Sequence, residues 1–207
     1  GPHSVPENPG EDSIGRIAQL RITDSARAYD PMAVLTHLSK VYQAGDSDLA
    51  WTRLTLWRTQ LAALLEQMPD SPVKRVVVWG SEKSPSVVLL GAWLGWKLEA
   101  EVQLATIGAA ERGLYRVAIE REDGQTIMFR PGKNIAIIET PYTPDQQIPL
   151  PVRTLADCIS EELRRLDPDT MYGEVLKSAF PTLEMHPAQC YAEPFLYTSE
   201  FPEVFDA

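Results

Sequence analysis

The sequence is poor in the side chains that bind metal ions or build disulfide frameworks. Among its 207 residues there are two cysteines, Cys158 and Cys190, and three histidines that are scattered along the chain. Two cysteines do not make the disulfide scaffold of a small secreted domain, so we expect a protein of the reducing cytoplasm. The histidines lack the spacing of a zinc site, and no metal site is predicted.

The sequence also lacks a long apolar run and an excess of basic residues. The most apolar stretch, Val87–Trp96, contains two glycines and is shorter than the roughly 20 residues that a membrane-spanning helix needs. No membrane association is therefore predicted. Lysine and arginine total 19 against 29 aspartate and glutamate residues, a formal net charge of −10. Because nucleic-acid binding needs a basic face, this balance argues against a nucleic-acid partner.

The two ends of the chain differ from its body. Residues 181–207 contain five acidic residues, five aromatic residues and no lysine or arginine. Aromatic residues separated by prolines and acids do not form a core, and three alternatives stay open for this tail: docking on its own body, docking on a partner, or disorder. The first four residues, Gly-Pro-His-Ser, are typical of the remnant of a cleaved purification tag, so we expect the natural chain to begin upstream.

Capping and turn residues divide the body into helices and strands. Helices are predicted over residues 31–42, 48–67, 84–98, 154–166 and 168–179. Strands are predicted over 73–80, 102–107, 114–121, 125–130 and 134–140, with Asp123-Gly124 as a hairpin turn. This order predicts an α/β fold, an α+β mixed sheet covered by helices. We expect a single domain over residues 14–180, a flexible segment over 1–13 and the acidic aromatic tail over 181–207.

The helix predicted after Thr154 has an apolar stripe at helical spacing. Four residues of this stripe are expected to face the core: Leu155, Ile159, Leu163 and Leu166. Cys158 lies beside them and is expected to be buried. The neighbouring pair Glu161-Glu162 lies on the other face and is predicted to be exposed to solvent.

The sequence contains none of the common catalytic or nucleotide-binding motifs. A G-x-G-x-x-G fingerprint, a Walker A sequence and a G-x-S-x-G elbow are all absent. We therefore predict no catalytic residues, no cofactor and no enzymatic activity, although an enzyme with an unfamiliar arrangement is an alternative.

A loop between a predicted strand and a predicted helix is the best candidate for binding a small molecule. Ser81, Lys83 and Ser84, with the backbone N–H groups there, could hold a phosphate and make the domain a sugar-phosphate or nucleotide sensor. The competing interpretation is an ordinary connecting loop in which Ser84 caps the helix, since Glu82 opposes an anion.

The densest group of interaction-prone residues lies at the start of the helix predicted over 48–67. Its members are Asp46, Asp48, Trp51, Arg53, Trp57 and Arg58. Arg53 and Trp57 could stack on one helix face, and Arg58 would need a carboxylate partner, either Asp24 or Asp46. One interpretation is structural, a helix cap with a buried ion pair. The other is a partner-binding surface, since tryptophan and arginine are favoured in interfaces.

Three blocks of sequence resemble a known family. They read I-G-R and R-I-T-D within residues 14–24, G-D-S-D-L-A-W-T-R-L-T-L-W-R over 45–58, and D-C-I-S-E-E-L-R-R-L-D-P-D over 157–169, followed by Tyr172. They are similar to the C-terminal domain of the OpcA family, the bacterial glucose-6-phosphate dehydrogenase assembly proteins, over residues 14–67 and 152–177.

The resemblance implies a non-catalytic protein that binds glucose-6-phosphate dehydrogenase and activates it allosterically, in the oxidative pentose phosphate pathway. The candidate partner-binding residues then fall inside the second block. Photosynthetic relatives are linked to redox control through cysteines, but with two cysteines here that mechanism is not carried over. The tail after residue 180 has no counterpart in the resemblance.

Overall fold

The computed structural model describes residues 5–68, 71–81, 83–105, 113–184 and the backbone of 186–187. Cys190 and residues 188–207 of the acidic aromatic tail lie outside this part of the chain, so the alternatives for the tail stay predictions. Within the described residues no helix is long and apolar enough to cross a membrane.

The amino-terminal part places two short parallel strands beside a helix. Strand β1 is Arg21–Thr23, helix α1 is Pro31–Val41 and strand β2 is Asp46–Asp48, with Ile22 paired to Ser47. Helix α1 begins as predicted, because the Asp30 side chain accepts a hydrogen bond of 3.0 Å from the Ala33 backbone N–H and Pro31 takes the first helical position.

The long helix predicted over 48–67 is wrong, since it is two helices. Helix α2 is Leu49–Thr52 and helix α3 is Thr55–Glu66. The Thr52 carbonyl accepts hydrogen bonds from Thr55 Oγ1 at 2.9 Å and from the Arg153 guanidinium at 2.8 Å. These side-chain donors compete with the backbone ladder for this carbonyl, which accounts for the interruption.

A mixed sheet follows, with seven strands in the part of the chain that the structure describes. The elements are β3 (Val73–Trp79), α4 (Pro85–Leu98), β4 (Glu101–Ala105), β5 (Arg116–Arg121), β6 (Gly124–Phe129), β7 (Ile135–Glu139), β8 (Gln146–Pro149) and β9 (His186–Pro187). The strand order is β8-β7-β6-β5-β3-β4-β9, in which β3, β4 and β9 are parallel to one another and the others pair antiparallel. The predicted α/β mixed sheet is confirmed.

Two glycines fix the geometry of this sheet and its helix. Gly124 has φ +145°, a conformation that side chains rarely adopt, and it closes the predicted β5–β6 hairpin. A Cβ atom on Gly95 would lie 2.5 Å from Val102 Cγ2, so α4 can approach β4 only because this residue has no side chain. The main core forms on this helix-covered face, where Val76, Val78 and Met128 are fully buried.

The carboxyl-terminal helices differ from the prediction in which face they bury. Helix α5 is Leu155–Arg164 and helix α6 is Thr170–Glu174, followed by a π-helical turn over Val175–Ala179. Cys158 is fully buried, as predicted. The prediction for the apolar stripe is wrong in its outer part, because Ile159, Leu163 and Leu166 are 36%, 72% and 90% exposed.

Candidate functional site

Asp46, the first residue of the predicted cluster, orders the loop between α1 and β2. Its carboxylate accepts the Gln43 backbone N–H at 2.7 Å and pairs with the guanidinium of Arg21, which also donates to the carbonyls of Ala18 at 3.0 Å and Ala44 at 2.8 Å. Gly45 has φ +96° in this loop. The carboxylate of Asp46 therefore orders the polypeptide between α1 and β2.

Asp48 is the most buried acid of the cluster, with no exposed surface. Its carboxylate accepts four hydrogen bonds, from Thr23 Oγ1 at 2.6 Å, Ser25 N at 2.9 Å, Ser25 Oγ at 2.9 Å and Ala50 N at 2.8 Å. Burial raises the pKa of Asp48, while the hydrogen bonds act in the opposite direction. The carboxylate caps α2 and ties β1 to it, which is the structural role considered for this residue.

Trp51 joins the cluster to the carboxyl-terminal helices. It is 1% exposed, and its indole Nε1 donates to the Asp169 carboxylate at 3.0 Å. The guanidinium of Arg58 lies 3.8 Å from the centroid of the Trp51 ring, on a half-buried site where burial lowers its pKa to about 10. Asp169 also caps α6 by accepting the Tyr172 N–H at 2.9 Å. The last helix therefore begins two residues later than Asp167-Pro168 predicted.

The carboxylate partners predicted for Arg58 belong to other arginines. Arg53, not Arg58, pairs with Asp24 through two hydrogen bonds of 2.8 and 2.9 Å, and Arg21 holds Asp46. Burial lowers the pKa of Arg53, but the hydrogen bonds and charge of Asp24 raise it more, and the net shift is upward. The predicted partner assignment fails because β1 brings Asp24 beside the end of α2, where Arg53 lies.

Trp57 is buried in the core and stacks with an arginine that the sequence did not suggest. It is 2% exposed, and the guanidinium above its ring belongs to Arg130 at 5.2 Å from the centroid. The predicted stack of Arg53 on Trp57 is therefore wrong, since both terminal nitrogens of Arg53 are bonded to Asp24.

The contacts between α2–α3 and the segment 161–169 form what we call the α2–α5 junction. Thr52 Oγ1 donates to Glu162 at 2.7 Å and Thr55 Oγ1 donates to Glu161 at 2.8 Å. Arg153 approaches Glu161 at 2.5 Å, and Arg165 lies 3.4 Å from Asp169 and 3.6 Å from Glu162. The junction consists of Trp51, Thr52, Thr55, Arg58, Arg153, Glu161, Glu162, Arg165 and Asp169.

The junction corrects the prediction for Glu161-Glu162. Glu162 is 4% exposed and Glu161 is partly buried, so neither is a freely solvated surface acid. A buried charge is tolerated at such a site when it is hydrogen-bonded and paired. Thr52 Oγ1 donates a hydrogen bond to the Glu162 carboxylate, and the Arg165 guanidinium forms an ion pair with it at 3.6 Å. The second and third family-like blocks contact each other across the junction.

The loop after β3 has its own hydrogen bonds. Ser81 Oγ accepts the Lys83 N–H at 3.2 Å, and the Ser84 N–H donates to the Ser81 carbonyl at 2.9 Å. Ser84 occupies the cap position of α4, but its side chain makes no capping hydrogen bond. Anion binding by Ser81, Lys83 and Ser84 stays a prediction.

The burial of the cluster limits what it can do directly. Asp46, Asp48, Trp51 and Trp57 are at most 7% exposed, so their side chains do not reach a partner's surface in this conformation. Exposed apolar side chains lie instead on the carboxyl-terminal side of the junction, and we call Ile159 and Leu163 of α5, with Leu166 just after it, the outer face of α5. The arrangement can hold this apolar face in a fixed orientation.

Comparisons with known proteins identify a related family. The family model that matches describes the C-terminal domain of the glucose-6-phosphate dehydrogenase subunit, OpcA. It matches residues 44–176, which include both sides of the α2–α5 junction. A comparison with curated proteins finds no match.

Among solved structures, the chain is similar to KijD10, a 3-ketoreductase from Actinomadura kijaniata. The open conformation in complex with TDP-benzene and NADP gives a TM-score of 0.42 at 12% identity, covering 79% of this chain and 68% of that chain. The complex with NADP gives 0.42 at 10% identity, covering 79% and 66%.

Proposed function

This chain belongs to the OpcA family, the C-terminal domain of the glucose-6-phosphate dehydrogenase subunit, and we propose that it is a non-catalytic assembly factor and allosteric activator of that dehydrogenase. The family match over residues 44–176 carries the proposal. It agrees with the resemblance of the sequence blocks to OpcA proteins, which implies a role in the pentose phosphate pathway.

Activation requires a difference in affinity between two states of the enzyme. A bound protein shifts an equilibrium only by as much as it binds one conformation or oligomer more tightly than the other. The proposed activator therefore binds the active dehydrogenase more tightly than the inactive form. Where activation raises the affinity for substrate, substrate tightens the complex by the same factor.

We propose that the outer face of α5 contacts the dehydrogenase. Ile159 and Leu163 are exposed one helical turn apart on α5, and Leu166 is exposed two residues beyond the end of that helix. Leu163 and Leu166 are 72% and 90% exposed, and exposed apolar residues grouped on one face are typical of interaction sites. The face is supported by residues that the family match includes, and the family's name gives the occupant.

In this proposal the six residues of the predicted cluster act through position. Asp46 and Asp48 order the turn before α2, and Trp51 and Arg58 lie in the junction that holds the segment 161–169. Arg53 ties the end of α2 to Asp24, and Trp57 packs α3 against Arg130. Their partner-binding role is therefore the support of the α5 face rather than direct contact.

The test is a binding and activity measurement with the purified dehydrogenase. The wild-type chain is expected to co-elute with the enzyme and to raise its rate or lower its KM. Leu163→Asp should weaken both effects, because it places a charge in an apolar contact. Tyr29→Asp is the control, since Tyr29 is a fully exposed large side chain in the bend before α1, away from the α5 face. No co-elution and no kinetic effect of the wild-type chain would overturn the proposal.

A further inference from the structure

Arg130 is a buried cation that no carboxylate balances within the described residues. It is 9% exposed, and its Nε is buried without a hydrogen-bond partner. Arg21, Arg53 and Arg153 are also mostly removed from water, and each has a carboxylate within salt-bridge distance. Arg58 has no such ion pair, but it lies over the Trp51 ring and the charges of Asp169, Glu161 and Glu162 act on it. Burial lowers the pKa of Arg130 to about 10, with no opposing charge to offset it.

Arg130 follows the last residue of β6 and lies in a row of residues that crosses the strands at one end of the sheet. Its backbone N–H donates to the Tyr115 carbonyl at 2.8 Å, the Tyr115 N–H donates to the Trp79 carbonyl at 3.1 Å, and the Gly80 N–H donates to the Ala105 carbonyl at 3.0 Å. The row therefore runs along the carboxyl ends of β3 and β4. Two strand spacings place Arg130 about 10 Å from Gly80.

The side chain of Arg130 belongs to the face that the helices cover. Residues alternate between the two faces of a strand, and Met128 packs with Val76 and Val78 in the core of that face. The contact between the Arg130 guanidinium and the Trp57 ring of α3 agrees with this placement. Helix α4 begins at the same edge, and its cap position Ser84 provides no side-chain hydrogen bond to the first turn.

These observations point to a ligand of negative charge. In α/β sheets, ligands bind in the crevice outside the carboxyl ends of the strands, and helix amino termini there favour phosphate groups. A buried guanidinium offers up to five donors to phosphoryl oxygens, while the aromatic ring below it keeps the group oriented. The described residues supply the cation and the donors at this edge but no anion.

We propose that Arg130, supported by Trp57, is the cationic centre of a binding site for a phosphoryl group at the carboxyl edge of β3, near the amino terminus of α4. Ser81 and Ser84 follow β3 at the same end of the sheet, and their hydroxyl groups could donate further hydrogen bonds to the ligand. The site does not include the α5 face, although it shares Trp57 with the cluster that supports that face.

The experiment uses inorganic phosphate and pyrophosphate as probes, with chloride at equal ionic strength as the reference. Titration calorimetry and thermal melts of the wild-type chain are expected to show saturable binding and a rise in Tm. Arg130→Met, which keeps an unbranched side chain and removes the charge, should weaken binding by at least about tenfold. Arg27→Met is the control, because the Arg27 side chain is 54% exposed.

Two results would overturn the inference. One is the absence of phosphate-specific binding by the wild type, and the other is a loss of affinity in Arg130→Met that stays below about tenfold. If that variant fails to fold, the wild-type chain still gives an answer through the Nε–H resonance of Arg130, assigned by its absence in Arg130→Lys. Saturable movement of this resonance with phosphate supports the site, and an unmoved resonance excludes it. Because the dehydrogenase is absent from these measurements, their failure would leave the proposed function untouched.

Discussion

Replacement of Thr52 by valine tests whether the α2–α5 junction holds the domain together. The two side chains have nearly the same shape, so the substitution removes one hydroxyl and little else. That hydroxyl is 2.7 Å from the Glu162 carboxylate, and the two residues are 1% and 4% exposed. Thr52→Val therefore leaves a buried carboxylate without its shortest hydrogen bond.

The magnitude follows from two opposing terms. A hydrogen bond to a charged group contributes about 1.5–3 kcal/mol to the free energy of unfolding. The buried methyl group that replaces the hydroxyl returns roughly 0.8 kcal/mol. The net loss should be about 1–2 kcal/mol, which for a domain of this size lowers Tm by about 2–8 °C.

The assay is urea unfolding followed by circular dichroism, with Thr59→Val as the control. Thr59 is exposed and its hydroxyl donates only to the Thr55 carbonyl, so its replacement should change stability by less than about 0.5 kcal/mol. A double-mutant cycle with Glu162→Gln should show coupling between the two sites. Equal stabilities of Thr52→Val and Thr59→Val would refute the idea that the Thr52–Glu162 contact carries the junction.

Three further outcomes are expected. Arg53→Ala should lower the free energy of unfolding by about 1–3 kcal/mol, because it leaves Asp24 without its two-point partner; chemical unfolding measures this, and Asp24→Ala in the same chain should recover part of the loss. In a Cys190→Ser background, Cys158 should react with a thiol reagent only as the protein unfolds in urea, and rapid labelling of the native protein would contradict its burial. Burial also raises the pKa of the Cys158 thiol above 9.0 in the folded state, so the unfolded chain loses this proton first. Stability should therefore fall as pH rises above about 9, and Cys158→Ala should show a smaller fall in pH-dependent melts.

Local signals in the sequence predict where several of the elements begin or turn. Asp30-Pro31 starts α1, Asp123-Gly124 turns the hairpin, and Thr154 caps α5 through reciprocal hydrogen bonds with Asp157. Each of these signals depends on residues that are close in the chain. They state where a helix or strand begins, and they carry no information about what it packs against.

The errors concern contacts between distant parts of the chain. Periodicity placed Leu163 and Leu166 in the core, but α5 turns Cys158 and Glu162 inward because Thr52, 110 residues away from Glu162, supplies a hydrogen-bond donor. The pairing of Arg53 with Asp24 likewise depends on the parallel pairing of β1 with β2. Helical spacing cannot reveal these partners.

Arg130 shows the same limit for the candidate ligand site. In the sequence it is a basic residue at the end of a strand, a position that is usually exposed. Its burial follows from the arrival of Trp57 from α3 on the same face of the sheet, and neither position in the sequence indicates the other. A count of tryptophan and arginine residues could have marked both as candidates, but not as a pair.

The buried hydrogen bonds of the α2–α5 junction affect how the proposed activator would act on the dehydrogenase. An apolar face on a loosely held helix would have to be ordered on binding, and that entropy would be lost from the affinity. Here the carboxylates of Glu161, Glu162 and Asp169 bond the segment 161–169 to α2 and α3 in the free chain. The face of α5 is therefore preorganised, and a rigid face favours the enzyme conformation whose surface matches it. In the proposed activation, the conformational change would therefore occur in the dehydrogenase, while this domain would act as a fixed template.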